Sequence, residues 1–228
     1  MSSKTAALAA LVIALLCSNA AAWAAPRAFK IDDSKKRDSV SFTSDAPLEL
    51  IGGKTSDIKG NITIDDSLDL SKPVDCSFQV DLSTIDTGIP LRNEHMRDNF
   101  LHTKDFPNGK FAVKKLINPP HKLEPGTKAK VQAIGELSLN GKTVSKTIPV
   151  EITYFSKCKA TETKVADCDL IQIKATFPVA FKEFNIPRPE VVFQKLADTV
   201  IVTVSATAYN QVGPSGKEKN SAAENKAK

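Results

Sequence analysis

The sequence lacks the patterns that would assign it to several common functional classes. It has no nucleophile elbow, no zinc-ligand set and no glycine-rich phosphate loop, so we expect no enzyme activity and no cofactor. Its formal net charge of +5 is carried by interspersed lysine, aspartate and glutamate. Without basic blocks and interleaved aromatics, nucleic-acid binding is not expected. The three histidines, His95, His102 and His121, form no compact ligand motif, so we expect no metal site.

Long apolar runs are also absent, apart from one near the N-terminus. That run spans residues 6–17, about 12 residues, whereas a membrane-spanning helix needs about 20. It follows Lys4 and precedes the small residues 20–25, which is the three-part layout of a secretory signal peptide. We favour cleavage after Ala24 and predict a signal peptide over residues 1–24. The protein is therefore expected to be exported, periplasmic or secreted, and soluble, with no transmembrane helix.

The C-terminal end predicts disorder. Residues 210–228 have no apolar periodicity and are rich in Lys, Asn, Ala, Ser and Gly, so burial cannot compensate for the entropy lost on ordering. We predict a disordered polar tail over residues 210–228. Residues 25–209 then form a single domain, a length that one β-barrel can absorb.

Three cysteines follow the predicted cleavage site. Cys158 and Cys168 bracket a polar loop between two strand-like runs, and in an oxidising compartment we predict that they form a disulfide. Closing so short a loop would contribute roughly 3 kcal/mol. Cys76 alternates with Phe78 and Val80, which predicts a buried, inert thiol.

Alternation of apolar and polar residues recurs along most of residues 25–209 and predicts antiparallel strands. Asn140-Gly141 between two such runs predicts a β-hairpin, because both central residues of a type I′ turn need positive φ. Long strands favour a closed barrel over a sandwich, because closure removes exposed edges. The fold class is therefore all-β, an antiparallel up-and-down, lipocalin-like barrel of about eight strands. The predicted strands are residues 29–31, 40–44, 58–65, 74–82, 110–117, 129–139, 144–154, 171–181 and 199–208.

One segment departs from the β pattern. Pro90 precedes residues 91–101, in which Met96, Phe100 and Leu101 have helical spacing. Proline is favoured at the first turn of a helix. This predicts one short helix over residues 91–101 that caps an end of the barrel.

Several of these segments resemble the YceI-like family of exported, lipocalin-like barrels. The passage 83–97, Ser-Thr-Ile-Asp-Thr-Gly followed by Arg-Asn-Glu-His-Met-Arg, is similar to the family's T-G and R-x-x-H-L-R motifs, and Phe106-Pro107 with Phe111 to its F-P-x-x-x-F motif. Residues 135–143 look like its G-x-L-T-L-H-G-x-T hairpin, and residues 198–202 like its closing strand. Asn140 stands where the family usually has a histidine. The resemblance covers residues 29–208.

The resemblance implies a binding protein for polyisoprenoid chains. We therefore predict an exported carrier or storage protein for a long-chain isoprenoid or similar amphiphilic lipid, as a monomer or homodimer. The alternative is a structural or adhesion-type β-sandwich that binds no ligand, with a core filled by its own phenylalanines. Arg92, His95 and Arg97 are candidates for contact with a ligand head group. The residues predicted to line the cavity are Phe78, Val80, Leu82, Phe111, Val113, Val131, Ala133, Leu137, Ile148, Val150, Ile152 and Phe177.

Overall fold

The computed structural model describes residues 25–33, 35–158, 168–187 and 194–211. The predicted signal peptide, the loop 159–167 and residues 212–228 of the predicted tail lie outside these ranges. A short helix, α1 (Pro90–His95), continues into one π-helical turn, Met96–Phe100. The ten strands are β1 (Arg27–Ile31), β2 (Ser39–Asp45), β3 (Leu50–Thr55), β4 (Ile58–Ile64), β5 (Asp75–Asp81), β6 (Asn108–Ile117), β7 (Lys128–Leu139), β8 (Lys142–Cys158), β9 (Cys168–Ala180) and β10 (Thr199–Gln211).

The ten strands fill eight positions of a closed antiparallel barrel. β10 pairs with β2 near its beginning, where Ile201 lies opposite Thr43, and with β1 near its end, where Tyr209 lies opposite Lys30. β3 pairs with β2, and β4 pairs with β1. β1–β2 and β3–β4 are therefore two interrupted strands. The remaining strands pair consecutively from β4 to β10. The predicted up-and-down barrel is confirmed, and the sandwich alternative is wrong.

Strand β3 is not among the predicted strands. Its centre is Gly52-Gly53, and glycine normally weakens a strand. Here glycine is required by packing, since a Cβ on Gly53 would collide with the ring of Phe42 on the neighbouring strand. The close approach of β3 to β2 therefore requires glycine at position 53, and this glycine pair obscures the pattern by which β3 could have been predicted.

The predicted β7–β8 hairpin is present and turns at Asn140-Gly141. Both residues have positive φ, 47° and 71°, as a type I′ turn requires. The register runs without a shift from Leu139 opposite Lys142 to Lys128 opposite Thr153. This long ladder forms one wall of the barrel.

The predicted helix over residues 91–101 consists of α1 and the π-helical turn. Pro90 occupies the first turn, as expected from its fixed φ. The Asn93 side chain accepts from the backbone N–H and hydroxyl of Thr87 at 2.8 and 2.6 Å, and its Nδ2 donates to the Asp86 carboxylate at 2.7 Å. These bonds fix α1 to the turn before it, at the end of the barrel called here the helix end.

The opposite end, called here the far end, is closed by apolar side chains and a polar network. Leu68, Leu70 and Leu123 are buried in the loops after β4 and β6. Beside them, the Asp169 carboxylate accepts from Arg27 Nη1 at 3.0 Å, from the Tyr154 hydroxyl at 2.8 Å and from the Lys157 N–H at 2.8 Å. Burial raises the pKa of Tyr154 to about 12, and its hydrogen bond to Asp169 adds to this. The far end is thus sealed.

The two cysteines of the predicted disulfide are brought together by the fold, and the bond itself stays a prediction. Cys158 and Cys168 lie directly opposite each other in the β8–β9 register. A register shift between Phe155 and Cys158 interrupts the ladder just before this pair. Strand β10 also continues to Gln211, two residues beyond the predicted end of the domain. Within the described ranges, no helix is long and apolar enough to cross a membrane.

We expect Asp169→Ala to lower the free energy of unfolding by about 2–3 kcal/mol, because it leaves the buried Tyr154 hydroxyl and the half-buried Lys157 N–H without their acceptor. Urea unfolding followed by circular dichroism would measure the loss. The control is Glu124→Gln, which removes an exposed ion pair with Lys122 and should cost less than about 1 kcal/mol. Equal losses in the two variants would contradict the assignment of the network as the seal of the far end.

Candidate functional site

The barrel encloses a cavity of about 600 Å³. Ligand sites for small molecules usually measure about 300–1,000 Å³. The cavity extends from Leu91, Met96 and Phe100 at the helix end to Leu70 and Leu123 at the far end. It therefore follows the length of the barrel rather than forming a side pocket.

All twelve residues predicted to line the cavity lie on its wall. They come from β5 to β9 and from Leu82 just after β5, and they are the inward members of the alternating pattern. Phe78, Phe111, Phe177 and Phe181, which could instead have filled the interior, also line the wall. Whether these residues contact a ligand stays a prediction.

The run of small residues on β7 serves two purposes. Val131 and Ala133 are buried and line the cavity, so their small size leaves room in the interior. At Gly135 the ring of Phe111 occupies the space beside the backbone, because an added Cβ would lie 2.6 Å from that ring. The small residues thus leave space at Ala133 and accept a neighbouring ring at Gly135.

Polar and charged side chains meet the cavity almost entirely near the helix end. Glu49, Thr87, Arg92, His95 and Lys195 all lie on this part of the wall. Toward the far end the lining is apolar, and its members include Ile62, Ile64, Leu116, Leu123 and Ile171. The cavity is therefore amphipathic along its length.

Arg92 is held by the protein as well as facing the cavity. Its Nη1 donates to Glu49 at 2.7 Å, its Nε to the Thr87 hydroxyl at 3.0 Å and its Nη2 to the Thr87 carbonyl at 3.0 Å. The Arg92 side chain is half-buried, so these bonds are protected in part from solvent. A guanidinium with three of its five donors bonded to the protein fixes the geometry of the helix end, and Arg92 also lines the cavity.

The other two head-group candidates are placed differently. His95 is exposed and lines the cavity near Arg92. Arg97, in the π-helical turn, is not among the residues of the cavity wall. The structure thus brings Arg92 and His95 together at the cavity, whereas in the following turn Met96 and Phe100 line the cavity and Arg97 does not.

The remaining histidines are spread over the molecule. His102 Nδ1 lies 3.0 Å from Asn140 Oδ1, which joins the β7–β8 hairpin to the segment after α1 at the helix end. His121 lies at the far end, with its Nδ1 3.2 Å from the Ser71 hydroxyl. Among the described residues there is no group of three or more His, Cys, Asp or Glu side chains that could hold a metal ion.

Sequence reasoning missed several parts of the wall, and two of them are instructive. The first is Ile58, Ile62 and Ile64 on β4, whose alternation is visible and could have identified them. The second is Glu49 and Lys195, which lie in irregular segments far apart in the chain. The backbone N–H of Leu48, beside Glu49, donates to the Gln194 carbonyl, beside Lys195, at 2.9 Å. No local pattern indicates that contact.

Cys76 is buried in the cavity wall, as predicted for an inert thiol. Burial, with a smaller contribution from Asp75, raises the pKa of its thiol to about 12. The reactive thiolate is therefore scarce at neutral pH. Ser77, the next residue along β5, is exposed.

We expect Cys76 to react with iodoacetamide at least about 100-fold more slowly, at about pH 8, than a thiol placed at the neighbouring exposed position. The double variant Cys76→Ser/Ser77→Cys supplies that reference thiol. The two positions share a strand and differ in the side of the sheet that they occupy. Peptide mass spectrometry would measure each cysteine separately from Cys158 and Cys168. Similar rates at the two positions would show that Cys76 is not enclosed.

Comparisons with known proteins agree with this geometry. The model of the YceI-like domain matches residues 29–208. No curated protein sequence matches the chain. Several solved structures share the fold at low sequence identity, and three of them are compared with this chain.

A polyisoprenoid binding domain from Saccharophagus degradans is 16% identical, with a TM-score of 0.60, over 81% of this chain and 99% of that one. BcnA from Burkholderia cenocepacia is 17% identical, with a TM-score of 0.58, over 78% and 98%. The YceI protein of Campylobacter jejuni is 16% identical, with a TM-score of 0.55, over 70% and 84%. The family match spans the whole barrel, and the chain belongs to the family of proteins with a YceI-like domain.

Proposed function

We propose that this protein binds a long-chain isoprenoid or a similar amphiphilic lipid inside its barrel and serves as a carrier or store for it. The observation that supports this most is the long apolar cavity whose polar groups lie near the helix end. A guest with an apolar chain and one polar head matches that distribution in a single orientation. The similar fold of a polyisoprenoid binding domain adds support.

In this orientation the chain of the guest lies toward the far end and its head lies near Arg92 and His95. If the guest buried about 500 Å² of apolar surface, the gross gain would be about 12 kcal/mol. The loss of translational freedom and the ordering of a flexible chain cost several kcal/mol, which reduces that gain. The remainder corresponds to micromolar affinity or better. Burial alone is then enough for binding, so the proposal needs no catalytic group and no cofactor.

The rival function is that of a structural or adhesion-type protein without a ligand. Such a protein would have an interior filled by its own side chains, as most cores are. The phenylalanines that could fill the barrel line an open space instead. The cavity therefore favours the carrier over this rival.

Protein purified from its native host should release a lipid on extraction with organic solvent. Mass spectrometry of the extract would identify the lipid and its chain length. Added ubiquinone, as a probe with an isoprenoid chain and a polar head, should also be taken up by the emptied protein. An empty extract together with no uptake of ubiquinone would overturn the proposed function.

We expect Ala133→Phe to weaken ubiquinone binding by at least about tenfold, because the ring would enter the space that the guest chain needs. Ala133 is buried on the cavity wall. The matched control is Gln132→Phe, since Gln132 precedes it on the outer face of β7 and is exposed. Equilibrium partition of ubiquinone between each protein and detergent, read from the absorbance of the quinone, would give the two Kd values, and thermal unfolding would check the fold. Unchanged binding in Ala133→Phe would contradict a guest in this cavity.

Export is the second part of the proposal. We propose that residues 1–24 are removed during export to the periplasm or the outside, and that Cys158 and Cys168 then form a disulfide. Their opposite positions in the β8–β9 register support this pairing.

The intact mass of the exported protein should therefore correspond to a chain that begins at Ala25 and has lost two hydrogen atoms. Reduction should restore the two hydrogens, and a Cys158→Ser variant should show no such loss. A mass that includes residues 1–24 would contradict processing, and an unchanged mass on reduction would contradict the disulfide.

A further inference from the structure

An exposed apolar rim borders the cavity at the helix end. We define the rim as Leu48, Leu50, Ile89 and Leu91, which retain 66%, 69%, 48% and 60% of their surface exposed. Leu48 lies just before β3 and Leu50 begins it, whereas Ile89 and Leu91 lie at the start of α1. Large apolar side chains this exposed usually mark a contact surface when they cluster.

The two halves of the rim are held together by one ion pair. Glu49, between Leu48 and Leu50, lies 2.7 Å from Arg92, which follows Leu91. A second connection lies close by, where the backbones of Lys54 and Asp86 exchange two hydrogen bonds of 2.9 Å. The two apolar pairs therefore lie on either side of the Glu49–Arg92 ion pair, and these contacts hold them at the surface.

The rim is continuous with the cavity. Ile89 and Leu91 are exposed to solvent and also line the cavity, as do Glu49 and Arg92 between the two halves. Leu48 and Leu50 do not line the cavity. An apolar path thus leads from the outer surface of the rim into the interior of the barrel.

We propose that this rim docks on the surface of a lipid bilayer, and that the guest enters and leaves the cavity there. The inference rests on the proposed function, because a guest of that class resides in bilayers. Each methylene that crosses open water carries a free-energy cost. A rim that touches the bilayer removes the water from that path.

The size of the rim favours a bilayer over a protein partner. Four apolar side chains are far fewer than the roughly 20–30 residues that each side of a stable protein interface contributes. A bilayer needs no matching shape, so a few inserted side chains are enough for transient contact.

The charges near the rim predict the mode of docking. Glu49 and Arg92 pair with each other, and α1 with the following turn carries both Glu94 and Arg97. No excess of positive charge marks these segments. Contact should therefore depend on apolar insertion and persist on neutral phosphatidylcholine vesicles in high salt, where electrostatic attraction is screened.

The test variant is Leu48→Gln/Leu50→Gln, which changes the rim without changing the cavity wall. The control is Phe155→Gln, because Phe155 is 38% exposed and lies toward the far end of β8. Each protein is recovered from the exported fraction of its expression host. Flotation with phosphatidylcholine vesicles, transfer of ubiquinone between vesicles and uptake of ubiquinone from detergent are measured for all three proteins.

The double variant should take up ubiquinone from detergent as the wild type does, while its flotation and its transfer rate fall about tenfold. Phe155→Gln should match the wild type in every assay.

Undiminished flotation and transfer by the double variant would overturn the docking proposal and leave the carrier function standing. Flotation that requires anionic lipid and is lost in high salt would also overturn it, as would dimers of the wild type that the double variant does not form. A wild type that takes up no ubiquinone from detergent and also releases no lipid on extraction would refute the proposed function, whereas its flotation would still test the rim.

Discussion

The structure depends on one constraint, the mismatch between the volume that eight strand positions enclose and the side chains available to fill it. A barrel of this size has an interior that side chains can just fill or that can hold one small ligand. In this chain Val131 and Ala133 face the interior from β7, and Phe78, Phe111, Phe177 and Phe181 line the wall of the cavity. The empty space follows from these choices of residue, and the fold itself would tolerate a filled core.

The two ends of the barrel treat that space differently. At the far end, buried leucines and the bonds to Asp169 close the interior. At the helix end, polar groups line the cavity and Arg92 joins α1 to β3 through Glu49. The cavity therefore has a direction, and a guest with one polar head can occupy it in only one favourable way.

Much of this could be predicted from the sequence, because its main signals are local. Alternation along β5, β7 and β8 identifies the inward faces, and Asn140-Gly141 identifies the hairpin. Strand β3 could not be predicted because Gly52-Gly53 resembles a turn. The need for glycine at position 53 becomes visible in its contact with the ring of Phe42. Glu49 and Lys195 could not be predicted as wall residues because they lie in irregular segments. Contacts between distant parts of the chain determine where such segments lie.

The order of the strands also has a consequence for how the molecule forms. When β1–β2 and β3–β4 each count as one interrupted strand, every neighbour in the meander is also next in sequence, except where β10 meets β1 and β2. The sheet can therefore grow strand by strand, but it stays an open ribbon with two unpaired borders until its final strand is available. A chain that crosses a membrane before it folds would form this open sheet on the outer side. The closed barrel with its cavity would form only after the last strand had crossed.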